Sequence, residues 1–190
     1  MTALLTAVLA VGVLAGCSEK TGGNANTTAP TDSGATSTVP TTSDVATGLS
    51  IAKFVSAPCS ILTSAQIAKL GSVRAPESST DVLGPLCVWK GQDVTKNSRY
   101  TVSVTKDKDV DEMVGNVKSN PVFTDHKVGG IRYVTNDQTN GEMSCTTIIE
   151  VSKSDSVTVQ VNVAPAEQAT KKPCTESESV ATMIVENLRG

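Results

Sequence analysis

The sequence predicts an α+β domain in which amphipathic helices pack on a twisted antiparallel sheet of about five strands. Three observations support this prediction. Several segments alternate apolar and polar residues, three others repeat apolar residues at helical spacing behind capping residues, and four cysteines are spread along the same region. Strands with one apolar and one polar face are typical of an antiparallel sheet that is covered on its apolar side. The length of 190 residues fits one such domain, over residues 49–190, preceded by extensions.

An apolar run at the N-terminus predicts export. Residues 3–15 are apolar with small side chains interspersed, and the run is too short to cross a hydrocarbon layer of roughly 30 Å as a helix. It is typical of the central region of a secretory signal peptide. Because Met1 and Thr2 lead straight into this run without a Lys or Arg, we expect a basic segment upstream of Met1.

The end of this run predicts a lipid anchor. Leu14-Ala15-Gly16-Cys17 resembles the lipobox of bacterial lipoproteins, in which a diacylglycerol is attached to the cysteine thiol and the chain is cut before that cysteine. The resemblance implies a signal peptide over residues 1–16 and lipidation of Cys17. Two or three acyl chains would then hold the protein on the cell membrane, since each buried methylene contributes about 0.8 kcal/mol.

A polar segment follows the predicted anchor. Residues 18–48 contain nine Thr and four Ser, and their only larger apolar side chains are Val39 and Val45. Such a segment cannot bury enough apolar surface to offset the entropy that the backbone loses on ordering. We therefore expect residues 17–48 to be a lipidated cysteine followed by a disordered tether, which would span about 30 Å as a flexible coil.

Three helices are predicted in the globular part. Thr63-Ser64-Ala65-Gln66 is a capping box ahead of a short helix that stops at Gly71. A second helix runs from Asp109 to Asn120-Pro121, and Thr175 opens the last one. The second and third helices repeat apolar residues at positions i, i+3, i+4 and i+7, so each has a stripe that must cover a surface.

Acidic residues crowd the start of the second helix, namely Asp107, Asp109, Asp111 and Glu112. A calcium-binding loop that started at Asp107 would need Gly at its sixth position and Glu at its twelfth, which are Glu112 and Lys118 here. Capping and a favourable interaction with the helix dipole explain these residues better. We expect no metal site and no cofactor.

Alternating segments predict the strands. They lie around residues 86–90, 100–105, 131–135, 143–151 and 157–163. The order of elements is then helix, strand, strand, helix, strand, strand, strand, helix, with residues 153–156 as a tight hairpin turn. Trp89 lies two residues after Cys87 on a strand, so both side chains should face the core. His126 follows Asp125 just before a strand, and we expect it in a loop.

Four cysteines remain once Cys17 is assigned to lipid: Cys59, Cys87, Cys145 and Cys174. An even number of thiols in an exported chain predicts two disulfides. Four cysteines allow three connectivities, and we favour Cys59 with Cys87 and Cys145 with Cys174. Each of these bonds joins the edge of a predicted helix to a predicted strand and closes a loop of about 30 residues, which is worth roughly 3.6 kcal/mol in the chain-entropy model.

Several motifs together resemble one family. They are Pro58-Cys59, Ile61-Leu62-Thr63, Ala65-Gln66-Ile67-Ala68 up to Leu70-Gly71, Cys87-Val88-Trp89, and Cys174 ahead of the last helix, behind a lipobox and a Thr-rich linker. This combination resembles the actinobacterial lipoproteins of the domain-of-unknown-function 3558 family, over residues 57–188. The resemblance implies an actinobacterial host and an exported, membrane-anchored position. The element order also resembles the small domains of the Mog1 and PsbP class, a likeness of fold that carries no function.

No catalytic motif stands out. A serine hydrolase elbow of the form Gly-x-Ser-x-Gly is missing from the sequence, and Lys and Arg form no basic stripe of the kind that binds nucleic acid. We therefore expect a lipid-anchored binding or interaction module on the extracytoplasmic face of the cell membrane, with no enzymatic activity. Its candidate ligands are an envelope protein, a cell-wall polymer or a lipid. An envelope hydrolase with an unrecognised site and a purely structural envelope component stay open as alternatives.

Overall fold

The computed structural model describes residues 47–190. The predicted signal peptide of residues 1–16, Cys17 and residues 18–46 of the predicted tether lie outside the described residues. Within residues 47–190, no helix combines the length and the apolar character needed to cross a bilayer. Thr47 is packed against the domain, because its hydroxyl donates a hydrogen bond to the carbonyl oxygen of Val151 at 2.6 Å.

Seven strands form one sheet. In chain order they are β1 (Glu77–Asp81), β2 (Gly84–Trp89), β3 (Arg99–Thr105), β4 (Val122–Val128), β5 (Ile131–Asp137), β6 (Ser144–Glu150) and β7 (Ser156–Asn162). All neighbours are antiparallel, and the order across the sheet is β1-β2-β3-β7-β6-β5-β4. The predicted α+β class and antiparallel sheet are confirmed. The predicted number of strands is wrong, since the sheet has seven strands and not about five.

The two strands that were not predicted are the two edges of the sheet. Every residue of β1 is exposed, so no apolar alternation marks it, and it is held by its backbone pairing with β2. β4 carries only partly buried and exposed residues, and it pairs with β5 through the tight turn at Gly129 and Gly130. His126 therefore lies in a strand, where it stacks on Tyr133 across the pair, and the prediction of a loop histidine is wrong.

Four α-helices flank the sheet: α1 (Ala52–Val55), α2 (Ser64–Lys69), α3 (Val110–Val117) and α4 (Pro173–Leu188). Short 3₁₀ turns occupy Pro58–Ile61 and Pro165–Glu167. The predicted capping box of α2 is present, with Thr63 and Gln66 each accepting a hydrogen bond from the other's backbone nitrogen. α4 begins at Pro173, two residues before the predicted start, because the fixed φ of proline suits the first helical position.

The core lies on one face of the sheet, which we call the covered face. Strands β2, β3 and β7 contribute alternate apolar residues to it, and α1, the 3₁₀ turn at Pro58–Ile61 and α4 pack on them. Trp89 and Tyr100 are paired across β2 and β3, and both are fully buried there. The predicted inward position of Trp89 on the face of Cys87 is thus confirmed.

Two disulfides fasten the helical layer to this face. Cys59 is bonded to Cys87 with an S–S distance of 2.02 Å, and Cys145 to Cys174 with an S–S distance of 2.11 Å. This is the pairing favoured from the sequence. The first bond ties the 3₁₀ turn at Pro58–Ile61 to β2, and the second ties the first turn of α4 to β6.

Candidate functional site

The opposite face of the sheet is covered only in part, and we call it the open face. Strand register places the polar partners of the core residues here: Thr101 beside Gln160, and Thr158 between Ser103 and Ile148. One short helix, α3, lies on this face, where its Val110 and Val114 pack on Val134 and Ile148, with Val117 and Phe123 beside them. Gln160 and Asn162 of β7 stay exposed.

Ion pairs hold α3 to the open face. Arg132 of β5 forms a two-point contact with Asp125 of β4, with Nε–Oδ1 at 3.0 Å and Nη2–Oδ2 at 2.8 Å. Its Nη1 also donates to Asp111 of α3 at 2.6 Å and to Glu150 of β6 at 3.2 Å. These contacts lower the pKa values of Asp125 and Asp111 through the hydrogen bonds from Arg132. A guanidinium suits this role because it offers several donors in fixed directions.

A groove runs between α3 and the turn that joins β1 to β2. It consists of two adjoining cavities of about 320 Å³ and 440 Å³, which share Leu83, Met113 and Asn116. We call it the α3 groove. The smaller cavity has Thr146, Ile148 and Thr158 of the open face in its lining. One end is closed by Lys108, whose ammonium group donates a hydrogen bond to the carbonyl oxygen of Val82.

Two polar atoms in the lining of the groove lack hydrogen-bond partners among the described residues. The Oγ1 atom of Thr158 and the Nδ2 atom of Asn136 are buried without a hydrogen bond in the described part of the chain, and the two residues are 8% and 5% exposed. Asn136 uses its Oδ1 to accept from Asn120 at 3.0 Å. Thr101 and Thr105, also on the open face, have unpartnered hydroxyls as well. A buried polar group without a partner costs about 1–3 kcal/mol. The indole Nε1 of Trp89, in the core, is the other unpartnered buried side-chain atom of the described residues.

The larger cavity is acidic. Asp107, Asp109 and Glu112 line it together with a single cation, Lys108. Asp107 is paired with Lys106 at 2.5 Å, and Asp109 accepts a hydrogen bond from the backbone nitrogen of Glu112 at 2.8 Å as the cap of α3. The capping role predicted for the acidic residues is thus present at Asp109. Among residues 47–190, no group of three His, Cys, Asp or Glu side chains is placed to hold a metal ion.

Sequence reasoning did not identify the groove. Its residues come from the β1–β2 turn, α3, β5, β6 and β7, and only the strand order brings these segments together. A partial signal was available. Thr158, Gln160 and Asn162 form the polar half of an alternating strand, which marks a face that the core does not use. Of the residues that the sequence singled out, Trp89 and His126 do not line the groove, whereas Asp107, Asp109 and Glu112 of the acidic cluster do.

The fold and this face define a disulfide-linked α+β domain whose sheet has one face covered and the other covered only in part. The chain belongs to the family described as "Protein of unknown function (DUF3558)", whose model matches residues 12–187. The family resemblance drawn from the sequence motifs is therefore confirmed. No curated protein and no solved structure matches the chain.

Proposed function

We propose that this chain is a lipid-anchored, extracytoplasmic binding module of an actinobacterial cell envelope, and that the α3 groove holds its ligand. The anchor is supported by the lipobox-like Leu14-Ala15-Gly16-Cys17 and by the apolar run before it. Export is supported by the two disulfides, because such bonds persist in oxidising compartments. The likeness to the Mog1 and PsbP class stays a prediction.

The observation that carries the proposal is the unsatisfied lining of the groove. The hydroxyl of Thr158 and the amide nitrogen of Asn136 are buried without a partner among residues 47–190, beside the apolar side chains of Met113, Leu83 and Ile148. A ligand that brings both hydrogen-bonding groups and apolar surface would satisfy this lining. Binding sites commonly combine an apolar lining with a few polar groups that fix orientation.

The occupant that fits this groove is an extended peptide segment of another envelope protein. An acyl chain would need a continuous apolar lining, whereas Thr146, Thr158 and Asn136 interrupt it here. None of the lining residues is aromatic, so the groove offers no stacking face for a sugar ring. Peptide groups supply one donor and one acceptor per residue, which is what an unpartnered hydroxyl and amide require.

The charge of the larger cavity adds a preference for a basic segment. Asp109 and Glu112 have no ion-pair partner among residues 47–190, and Lys108 is the single cation in this lining. Opposite charges across an interface raise the rate of encounter and reject partners of the wrong sign. We therefore expect Lys or Arg at the end of the segment that lies over the start of α3.

Site-specific photo-crosslinking in living cells of the host tests this proposal. A photoreactive residue at Asn116 reports on the groove, since Asn116 lines both cavities, and the same residue at exposed Ser179 on α4 is the control position. We expect a protein adduct at position 116 and not at position 179. The substitution Leu83→Lys should abolish the adduct, because the added side chain fills the groove and repels a basic peptide segment. The control Val128→Lys, at an exposed apolar residue outside the groove, should leave the adduct unchanged.

Several outcomes would overturn this assignment. A lipid or glycan attached at position 116 would contradict a peptide ligand. Equal adducts at positions 116 and 179, or adducts that survive Leu83→Lys, would show that the α3 groove is not the binding site. An intact mass of the native protein that shows no acyl chains on Cys17 would contradict the lipid anchor. The crosslinks at position 116 would still test the α3 groove.

A further inference from the structure

A second cavity, separate from the α3 groove, lies at the edge of the sheet where β2 and β7 end, at Trp89 and Asn162, and where β3 begins, at Arg99. It has a volume of about 220 Å³, and its lining includes Arg74, Lys90, Arg99, Asn97 and Asn162. None of its lining residues takes part in the α3 groove. We call it the basic pocket, because three of its side chains are cationic.

The charges of the basic pocket are not balanced within the protein. Lys90 pairs with Glu77 at 2.6 Å, but neither Arg74 nor Arg99 has a carboxylate within 4 Å among residues 47–190. The Nη2 atom of Arg74 donates a hydrogen bond to the carbonyl oxygen of Gln92 at 3.0 Å. Three cations against one carboxylate leave a local excess of two positive charges. Glu77 responds to this field, since the contact with Lys90 lowers its pKa and Arg74 and Arg99 lower it further.

An amide donor is also available in this cavity. The Oδ1 atom of Asn97 accepts a hydrogen bond from the backbone nitrogen of Asp93 at 3.1 Å. This bond sets the orientation of the side-chain amide and leaves Nδ2 as its donor. That Nδ2 has no partner among the described residues. Asn162 lies at the same rim and is exposed. Guanidinium and amide N–H groups are the donors that oxyanions accept from.

The wall of the pocket is preformed. A Cβ atom on Gly91 would lie 2.1 Å from the carbonyl oxygen of Asn97, so the two ends of the loop between β2 and β3 touch through their backbones. Asp93 ties the loop together by accepting from both the nitrogen and the hydroxyl of Thr95, at 2.9 and 2.7 Å. Ala166 donates to the carbonyl oxygen of Thr95 at 3.1 Å and attaches the loop to the neighbouring turn. The backbone wall needs no ordering on binding, whereas the exposed side chains of Arg74 and Arg99 lose conformational entropy there.

We propose that the basic pocket binds an oxyanion of the phosphate type through Arg74, Arg99 and the amide of Asn97. A dianionic phosphate ester balances the two excess charges, which a single carboxylate would not. Arginine contacts phosphate through two parallel N–H···O bonds, and this geometry favours phosphate at a site with two free guanidinium groups. Lys90 is paired with Glu77 and is assigned no direct contact with the anion.

We assign the basic pocket a soluble phosphate group, and vesicles test the lipid headgroup as the other source of the same chemistry. The described chain enters the domain at Thr47, next to Val151 at the start of the β6–β7 turn. The basic pocket lies at the other end of β7, beyond Asn162, and the six residue steps from Ser156 span about 20 Å. If Cys17 carries the proposed anchor, this end of the sheet is the one opposite to the entry of the tether.

Phosphate binding can be measured on the full chain carrying Cys17→Ser, which removes the proposed lipid attachment site. Inorganic phosphate is titrated at constant ionic strength, maintained with NaCl, and followed by backbone amide chemical shifts. We expect saturable shifts in the loop of residues 91–98, and at least a tenfold loss of affinity in the double variant Arg74→Gln, Arg99→Gln. The control Lys69→Gln, Arg189→Gln removes the same charge at exposed sites outside the pocket and should retain the affinity.

Three results would overturn the proposal. These are the absence of saturable shifts in the wild-type chain, an equal loss of affinity in both double variants, and shifts confined to residues away from the pocket lining, which includes Asn162 and Ala164 as well as residues of the 74–99 segment. Vesicles of phosphatidylglycerol form a second arm. Binding to these vesicles without binding of inorganic phosphate would contradict a soluble ligand. Amide spectra of each variant show directly whether it is folded, and none of these readouts depends on a ligand in the α3 groove.

Discussion

Arg132 and Asp125 contact each other at two points across the β4–β5 pair, with N–O distances of 3.0 and 2.8 Å. The same guanidinium reaches Asp111 on α3 at 2.6 Å, so one side chain joins the edge strand to the helix that borders the groove. The contacts hold Asp125 and Asp111 charged. The geometry of the α3 groove therefore depends on a residue that does not line it.

Removing this guanidinium should loosen α3. Arg132 is 19% and Glu150 12% exposed in their side chains, so Arg132→Met leaves a largely buried carboxylate with only Lys153 at 3.8 Å. We expect the free energy of unfolding in urea to fall by about 2 kcal/mol. The control Lys106→Met breaks an exposed ion pair with Asp107 and should leave the free energy of unfolding unchanged. Equal effects of the two substitutions would contradict the structural role of Arg132.

Acid should destabilise the β5–β6 turn through Asp137. Burial alone would raise the pKa of Asp137, but hydrogen bonds from Thr139, Gly141 and Ser144 lower it below the ordinary value of 3.8. A depressed folded-state pKa stabilises the fold above the unfolded pKa, and this contribution disappears as pH falls through the folded value. Urea unfolding between pH 6 and pH 2 should therefore show stability falling below about pH 4.

The variant Asp137→Asn isolates this contribution. We expect it to be less stable by about 1–2 kcal/mol at pH 7, since an amide accepts fewer hydrogen bonds than a carboxylate. Its loss of stability below pH 4 should be shallower than in the wild-type chain. Parallel pH profiles of the two proteins would show that Asp137 does not titrate with a depressed pKa.

Two glycines should respond to alanine with opposite signs. Gly115 lies inside α3 with no heavy atom within 4 Å of an added Cβ, and Gly115→Ala should raise the free energy of unfolding by up to about 1 kcal/mol, because alanine favours helix. Gly91→Ala instead drives a methyl group against the Asn97 carbonyl at 2.1 Å and should destabilise the β2–β3 loop. Thermal unfolding of both variants checks the pair, and a stabilising Gly91→Ala would contradict the close approach.

The disulfide between Cys145 and Cys174 should stabilise the packing of α4 on the sheet. The double variant Cys145→Ala, Cys174→Ala opens a loop of 29 residues, for which the chain-entropy model gives a loss of about 3.6 kcal/mol. Denaturant unfolding of the oxidised protein and the variant measures this difference. Stabilities within about 1 kcal/mol of each other would show that α4 is held by its apolar stripe alone.

The central strands and the long helices could be predicted from the sequence, and the edges could not. β3 and β7 are marked by alternating valines because one of their faces is buried. β1 has the sequence Glu-Ser-Ser-Thr-Asp with both faces exposed, so neither burial nor propensity distinguishes it from a loop. In β4, the polar Asp125 and His126 serve contacts to Arg132 and Tyr133 that only the pairing register creates.

The candidate site was hidden for a related reason. Leu83, Asn116 and Thr158 come from three distant segments, and they meet because β7 is inserted between β3 and β6 in the sheet. The alternation of polar and apolar residues shows that Thr158 faces away from the core. It does not show that Leu83 and Asn116 line the same cavity. The cysteine pairing was easier to favour, since each bond joins a strand to the edge of a helical element and closes a loop of about 30 residues.

The free energy of unfolding of Thr158→Val tests most directly whether the lining of the groove is kept for a ligand and not for the fold. Because the hydroxyl of Thr158 has no partner in the described chain, we expect the variant to be as stable as the wild-type chain or more stable. Thr147→Val is the matched control on the covered face, where the hydroxyl bonds to Thr135 at 3.0 Å and Ser177 at 2.7 Å, and it should lose about 1–3 kcal/mol. A loss in Thr158→Val as large as in Thr147→Val would contradict the account.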